Sequence, residues 1–431
     1  MRLLFLSLYY WPEVTAVAPF TTGRCEYLAS RGHEVTVCTG FPFYPQWRIA
    51  DGYRGWSFAR EVRNGVTILR CPLYIPRRVT SSKRIVHEAS FLATSFGRLL
   101  LHRKPQVIFI TSPPLGLSVA GMALSRLWGV PYVFHVEDLQ PDAALDLGML
   151  PASGRIARSL YALERAAYRR AALVSTLNEG MRSRICAKGI EPNKVVLSSG
   201  WPEPALFGIP VADGGQEFRR SLGLEGRFLV VHIGNMGVKQ GLGVILDAAQ
   251  RTIHNSQIIY LLVGDGAMRE SLEVRAHDMA LPNLRLLPLQ ATGVFQDMLA
   301  AADVCLLTQQ KTVGDIVFPS KVMTLLASAR PVIASINLSS EVARVLNESG
   351  AGVIVHPEDP TALSKAIVIL CGDRQRRLAM AESGRAYALK HWRSSQTLQI
   401  MENRLQELVD RSVTVSPPEE RPKSSFNRRK R

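Results

Sequence analysis

Three stretches of this 431-residue chain carry side chains able to do chemistry. In the first, Asp315 stands ahead of Pro319-Ser320-Lys321, and the apolar Val322, Leu325 and Leu326 follow. That order reads as a loop entering a helix, since Pro suits a first helical turn and Ser caps orphan amides. A helix start carrying Ser and Lys favours an anionic group, because free amides and the dipole attract negative charge there. Asp315 could accept hydrogen bonds from sugar hydroxyls. An ordinary capped helix fits the same residues. In the second stretch, Gly234 to Gly241 follows the apolar run Phe228 to Ile233. A Gly-rich turn between strand and helix is a weak phosphate signal. In the third, His135, Glu137, Asp138 and Asp142 gather at the end of the apolar run Val130 to Val136. Open α/β sheets place ligands at the carboxyl ends of their strands, although a lone histidine also serves as a structural residue.

The elements that must hold these residues alternate between short apolar runs and helical periods. Arg2 to Tyr9, His33 to Thr39, Gln106 to Thr111, Val130 to Val136, Leu173 to Leu177 and Val195 to Ser198 read as buried strands of one sheet. Phe228 to Ile233, Ile258 to Val263, Asn283 to Gln290, Ala301 to Leu307 and Val332 to Ala334 repeat the pattern in a second half. Such alternation predicts βαβ units and two parallel sheets. Ser81 to Arg103 reads as a helix, with Ile85, Ala89, Leu92, Phe96 and Leu99 on one side and cations at its ends. It suits either the core or a membrane surface. A second amphipathic helix carries Ile156, Leu160, Leu163 and Ala167, with Arg155, Arg158, Arg165, Arg169 and Arg170 on its surface. Trp392 to Val409 is a late helix.

Charge is uneven. Residues 1–200 hold 25 Lys and Arg against 13 Asp and Glu, residues 201–411 hold 21 of each, and residues 412–431 hold 6 against 2. The basic first half and tail point to an anionic partner: nucleic acid, lipid headgroups or a diphosphate-linked substrate. The six cysteines include no C-x-x-C pair, which argues against a disulfide framework or zinc site and fits a reducing compartment. Val107 to Leu124 is apolar but broken by Ser112-Pro113-Pro114, so strand, loop and helix are expected there rather than a span. Met1 to Ala18 imitates a signal peptide, yet His33 to Val37 supplies the second strand of a βαβ unit that begins at Arg2.

Asp315-x-Val317-x-Pro319-Ser320-Lys321, then Leu326-Ala327-Ser328-x-Arg330-Pro331-Val332-Ile333-Ala334, resembles the donor segment of family 4 glycosyltransferases, in particular the colanic-acid and exopolysaccharide branch. Gly234-Asn235-x-Gly237-x-x-Gln240-Gly241, His135-x-x-Asp138-x-x-x-Asp142-Ala143-Ala144 and the opening Pro12-Glu13-x-Thr15 are similar to further segments of that branch, and the resemblance covers about residues 1–405. It implies an α/β fold of two Rossmann-like domains in the B-type glycosyltransferase architecture, with an interdomain cleft. Residues 1–204 would bind acceptor and 205–388 the nucleotide sugar. Residues 389–411 would form a helix returning to the first domain, and 412–431 a disordered basic tail.

The implied activity is transfer of a sugar from a nucleotide diphosphate to a glycan or polyprenyl-diphosphate-linked acceptor, with retention, in cell-surface polysaccharide synthesis. His135, Asp138 and Lys239 would be catalytic. Gly234, Asn235, Gln240, Asp265, Leu289, Asp315, Ser320, Lys321 and Glu341 would bind donor, Glu341 serving equally well as a helix cap. Glu13 and Thr15 would bind acceptor. Many family members carry an Arg in the Gly-rich loop, a Lys before its last Gly, and two glutamates eight positions apart. Here Asn235, Gln240, Ile316 and Thr324 hold those places, and Asp315 would replace the first acid. That leaves Lys239 as the loop's cation, expected to converge on the diphosphate with Ser320-Lys321. No D-x-D motif is present, so no metal or other cofactor is expected, and no nucleic-acid partner. The protein would sit in the cytoplasm, peripheral on the cytosolic face of an anionic membrane. A nucleotide-sugar epimerase or sugar phosphorylase on the same fold, or a non-catalytic membrane-surface scaffold, is the alternative.

Overall fold

A computed structural model describes residues 1–14, 17–146, 154–312 and 321–414. Two sheets organise the chain. The first contains β1 (Arg2–Leu6), β2 (Glu34–Gly40), β3 (Ala59–Arg63), β4 (Val66–Cys71), β5 (Val107–Ser112), β6 (Tyr132–Val136), β7 (Leu173–Thr176) and β8 (Val195–Leu197). Their order is β3-β4-β2-β1-β5-β6-β7-β8. β1 pairs in parallel with β2 on one side and β5 on the other. Leu3, Leu4, Phe5 and Leu6 are all buried, as a parallel strand covered on both faces requires.

The edge of this sheet departs from the sequence reading. β3 and β4 form an antiparallel hairpin that pairs Arg63 with Val66. Asn64 and Gly65, the two residues between them, both have positive φ. A two-residue Asn-Gly connection twists as the flanking strands do, so the signal stood in the sequence.

The second sheet contains β9 (Phe228–Ile233), β10 (Ile258–Val263), β11 (Leu284–Leu287), β12 (Val304–Thr308), β13 (Val332–Ser335) and β14 (Gly352–Val355). The order is β11-β10-β9-β12-β13-β14, and every pair is parallel. Alternate residues of β9 enter opposite cores. Leu229 and Val231 pack with the helix Lys321–Ala327, and Phe228 and Val230 with the helix Gly243–Arg251. The order reverses beside β9, where β10 lies on one side and β12 on the other. Such a switch point opens a crevice at the strands' carboxyl ends.

The chain divides into two compact units. One holds Met1–His135, Ala166–Val174 and everything described from Gln399 on; the other holds Val136–Arg165 and Ser175–Leu398. The helix Ser394–Thr414 therefore contributes its later part to the first unit. There Glu402 accepts hydrogen bonds from Tyr27 at 3.0 Å and Arg31 at 3.3 Å, and its other oxygen lies 2.9 Å from His33 Nε2.

Candidate functional site

The Gly-rich turn after β9 is built against the turn after β10. Gly234 N–H donates to Val263 O at 2.7 Å, and Met236 N–H donates to Asp265 O at 2.8 Å. Gly264 has φ +155°, and a Cβ there would fall 1.9 Å from Gly234 O. No other residue type could let the two backbones approach so closely. The second half of the turn is anchored to the end of β12. Gln240 O accepts the Thr308 hydroxyl at 2.7 Å, and Lys239 O accepts Gln310 N–H at 2.9 Å.

Lys321 lies across this floor. Gly234 has φ +110°, and a Cβ there would meet Lys321 Cε at 2.7 Å and Nζ at 3.0 Å. The structure thus brings Lys321 onto the loop that carries Lys239. Val322, Met323, Leu325 and Leu326 fix the backbone of Lys321 by packing into the core. Lys321 is half-buried, and among the described residues no carboxylate pairs with it. Burial lowers its pKa from 10.5 to about 8, a cost of roughly 3 kcal/mol to the charged form. A buried cation lacking a protein counter-ion is stabilised by any anion delivered to it.

Beneath the same turn lies a residue the sequence reading passed over. His232, two positions before Gly234, is 1% exposed, and among the described residues neither ring nitrogen makes a hydrogen bond of good geometry. Burial, reinforced by the charge of Lys321, pushes its pKa down to about 3, against a weaker upward pull from the Leu306 backbone. His232 is therefore neutral, and Lys321 is the cation of this floor. A histidine inside an otherwise apolar strand was the available signal.

The other expected donor residues divide by their partners. Asn235 is exposed on the turn. Gln240 Oε1 accepts Gly237 N–H at 3.1 Å, so its carbonyl oxygen braces the loop. Lys239 is half-buried, and among the described residues its ammonium has no hydrogen-bond or ion-pair partner. Asp265 Oδ1 accepts Gly266 N–H at 2.8 Å and closes its own turn. Leu289 is exposed beyond β11. Ser340, rather than Glu341, caps the helix Glu341–Ser349, its Oγ accepting Ala343 N–H at 3.2 Å. Both oxygens of Glu341 are held by Arg344, at 3.0 and 2.5 Å. Asp315 and Ser320 lie outside the described residues. The described part of this helix spans Lys321–Ala327, and the positive charge argued here is that of the lysine side chain.

In the first unit, His135 is fully buried in β6, its ring centroid 5.6 Å from that of Phe109. Glu137, buried, and Asp138, half-buried, follow just beyond the strand and belong to the second unit. Glu13 is buried after β1, and its Oε1 accepts the N–H groups of Phe43 at 2.9 Å and Tyr44 at 2.8 Å. Burial raises its pKa and those two bonds draw it back. Glu13 thus holds the loop Phe41 to Trp47 in place. That loop packs on the helix Ser81–Leu100, where Phe43 and Trp47 meet the buried ring of His87 at 4.6 and 5.2 Å. Thr15 lies outside the described residues. Among the described residues no cluster of three His, Cys, Asp or Glu side chains could hold a metal, and no helix is long and apolar enough to cross a membrane.

Residues 15–201 match the glycosyl transferase 4-like domain and residues 227–373 the glycosyl transferases group 1 domain. The chain is 32% identical over 374 residues to the colanic acid biosynthesis glycosyl transferase WcaI of Escherichia coli, covering 85% of this chain and 91% of that one. It is a family 4 glycosyltransferase.

Solved structures share its two-sheet, B-type architecture. Sucrose-phosphate synthase of Thermosynechococcus elongatus superposes with a TM-score of 0.73 at 14% identity, over 95% of this chain and 99% of that one. HepE of Anabaena, solved with UDP-glucose, superposes at 0.65 and 16%, over 94% and 100%. In this glycosyltransferase the half-buried Lys321 lies over the turn to which Gly234, Asn235 and Gln240 belong.

Proposed function

We propose that this glycosyltransferase moves a sugar from a nucleoside diphosphate sugar to a hydroxyl of a glycan or polyprenyl-diphosphate-linked acceptor, with retention, during cell-surface polysaccharide assembly on the cytosolic face of the membrane. The observation that carries the reading is the half-buried Lys321 ammonium lying on the Gly234 turn, with no carboxylate paired to it among the described residues. As the bond from the anomeric carbon to the diphosphate oxygen breaks, negative charge grows on the leaving group. A preorganised cation in a dry site stabilises that charge without reorganising. Lys321 takes the diphosphate, with Lys239 beside it on the same loop. His135 contacts the donor sugar near the reacting carbon, and Asp138 orients the sugar or the acceptor hydroxyl, whose proton passes to the departing diphosphate oxygen as the new bond forms. The similarity to WcaI supports the polysaccharide setting, and the UDP-glucose complex of HepE supports a nucleotide sugar donor. The reading invokes no metal.

The test is acceptor-dependent release of nucleoside diphosphate. Release should require acceptor, and His135→Ala should lower turnover by at least ~10-fold, about 1.4 kcal/mol, with nucleotide affinity unchanged. Sugar inversion without acceptor would indicate an epimerase. Failure to bind any nucleoside diphosphate would indicate a scaffold.

A further inference from the structure

The helix Ser81–Leu100 is apolar on two faces. Its inward residues are His87, Phe91, Ser95 and Leu99, spaced four apart along one side. Ile85, Val86, Ala89, Leu92, Phe96 and Leu100 form a second series, centred roughly 140° around the axis at 3.6 residues per turn. The apolar stripe legible in the sequence therefore belongs mainly to the outward face. Ile85 is 68% exposed, Val86 53% and Leu100 46%; Ala89 is exposed, and Leu92 and Phe96 are half-buried. A helix covering only a core has no use for this second face, because apolar surface left in water is unfavourable.

Cations flank the stripe at both ends. Arg77, Arg78, Lys83 and Arg84 are exposed at the start, Arg84 sharing its charge with Glu88 at 3.2 Å, and Arg103 and Lys104 are exposed just past the end. The helix is about 30 Å long at 1.5 Å per residue, so the two clusters sit far apart with apolar surface between them. A lipid surface supplies the matching pattern: anionic phosphates at both ends and acyl chain in the middle. A second copy does not. Pairing this face with itself antiparallel would set the cluster at Arg77 to Arg84 over the partner's Arg103 and Lys104, where like charges repel.

We propose that the outward face of Ser81–Leu100 lies flat on an anionic bilayer, with Ile85, Val86 and Leu100 at the acyl boundary and the flanking cations on lipid phosphates. The inference rests on the peripheral-membrane reading above and assigns it a surface. It is tested by floating the full chain with phosphatidylcholine vesicles containing about one-third phosphatidylglycerol, and with phosphatidylcholine alone. The chain should rise with the anionic vesicles at low salt and be released at high salt. Ile85→Glu with Leu100→Glu should lower the partition coefficient at least ~10-fold. Both sites are exposed, so the melting temperature and sugar transfer to a water-soluble acceptor should not change. Arg78→Ala with Lys83→Ala should lower binding at low salt and flatten the salt dependence. Flotation equal to the parent's in the Ile85→Glu, Leu100→Glu variant would overturn this face while leaving the peripheral reading standing. No flotation of the parent with either vesicle would end both. A concentration-dependent dimer abolished by the same glutamates would assign the face to a second copy instead.

Discussion

The loops after β1 and after β9 each bury a charge, and they treat it in opposite ways. Glu13 is enclosed but satisfied by the N–H groups of Phe43 and Tyr44. Lys321 is half-buried over Gly234, and among the described residues nothing anionic pairs with it. A buried charge hydrogen-bonded by its own chain serves the fold. A buried charge left without a partner lowers the stability of the ligand-free protein and is relieved only when something binds. The acid and the base both looked like substrate ligands in the sequence; their surroundings separate anchor from receptor.

The sharpest way to break that contrast is to remove the lysine. Lys321→Met should weaken nucleoside diphosphate binding by ~10- to 100-fold, since a charged contact to phosphate contributes about 1.5–3 kcal/mol. The parent nucleoside should bind variant and parent alike, and the ligand-free variant should melt no lower. Equal losses for nucleoside and diphosphate in a calorimetric titration would remove Lys321 from the phosphate.

Glu13→Ala should show the reverse. It should lose about 2 kcal/mol in urea denaturation, because two backbone donors lose their acceptor, with diphosphate affinity intact. An undiminished stability together with a raised KM for acceptor would return Glu13 to the acceptor site.

The smallest effect is in pH. Lys321 must be protonated to hold phosphate, and its pKa in the free protein is about 8. Diphosphate affinity should therefore fall about threefold from pH 7.5 to 8.5, and Lys321→Met should abolish this step. In the ligand-free protein the sign is opposite. Between about 8 and 10.5 the unfolded lysine keeps a proton that the folded one has lost, so stability should rise with pH across that window.

What the sequence disclosed follows from which forces are local. Phe228–Ile233 and Ile258–Val263 were legible residue for residue, because strands buried on both faces must be apolar throughout. The stripe on Ser81–Leu100 was legible, but its direction was not. Hydrophobicity cannot tell a face that meets the core from one that meets water, and here the inward face includes His87 and Ser95. The Asn64-Gly65 hairpin carried a local signal that went unused. The approach of Lys321 to Gly234 had no local signal, since only the return of the chain over β12 brings the two together. Gln240, Glu341 and Glu13 were legible as site residues because their types match the family pattern. That their oxygens are held by Gly237, Arg344 and the Phe43-Tyr44 backbone is a property of folded neighbours. Thr15, Asp315 and Ser320 fall outside the described residues.

Glu402 gives the first unit a particular history of synthesis. Its contacts with Tyr27, Arg31 and His33 join residues as much as 375 positions apart in the chain. When the strands that pair with β1 have left the ribosome, the carboxylate that closes over His33 has not yet been translated. The first region to emerge is thus the last to be completed, and it must wait, partly open, while the whole of the second sheet is made. An interrupted translation product would carry every strand of both sheets and still lack the acid that closes the unit with which the chain began.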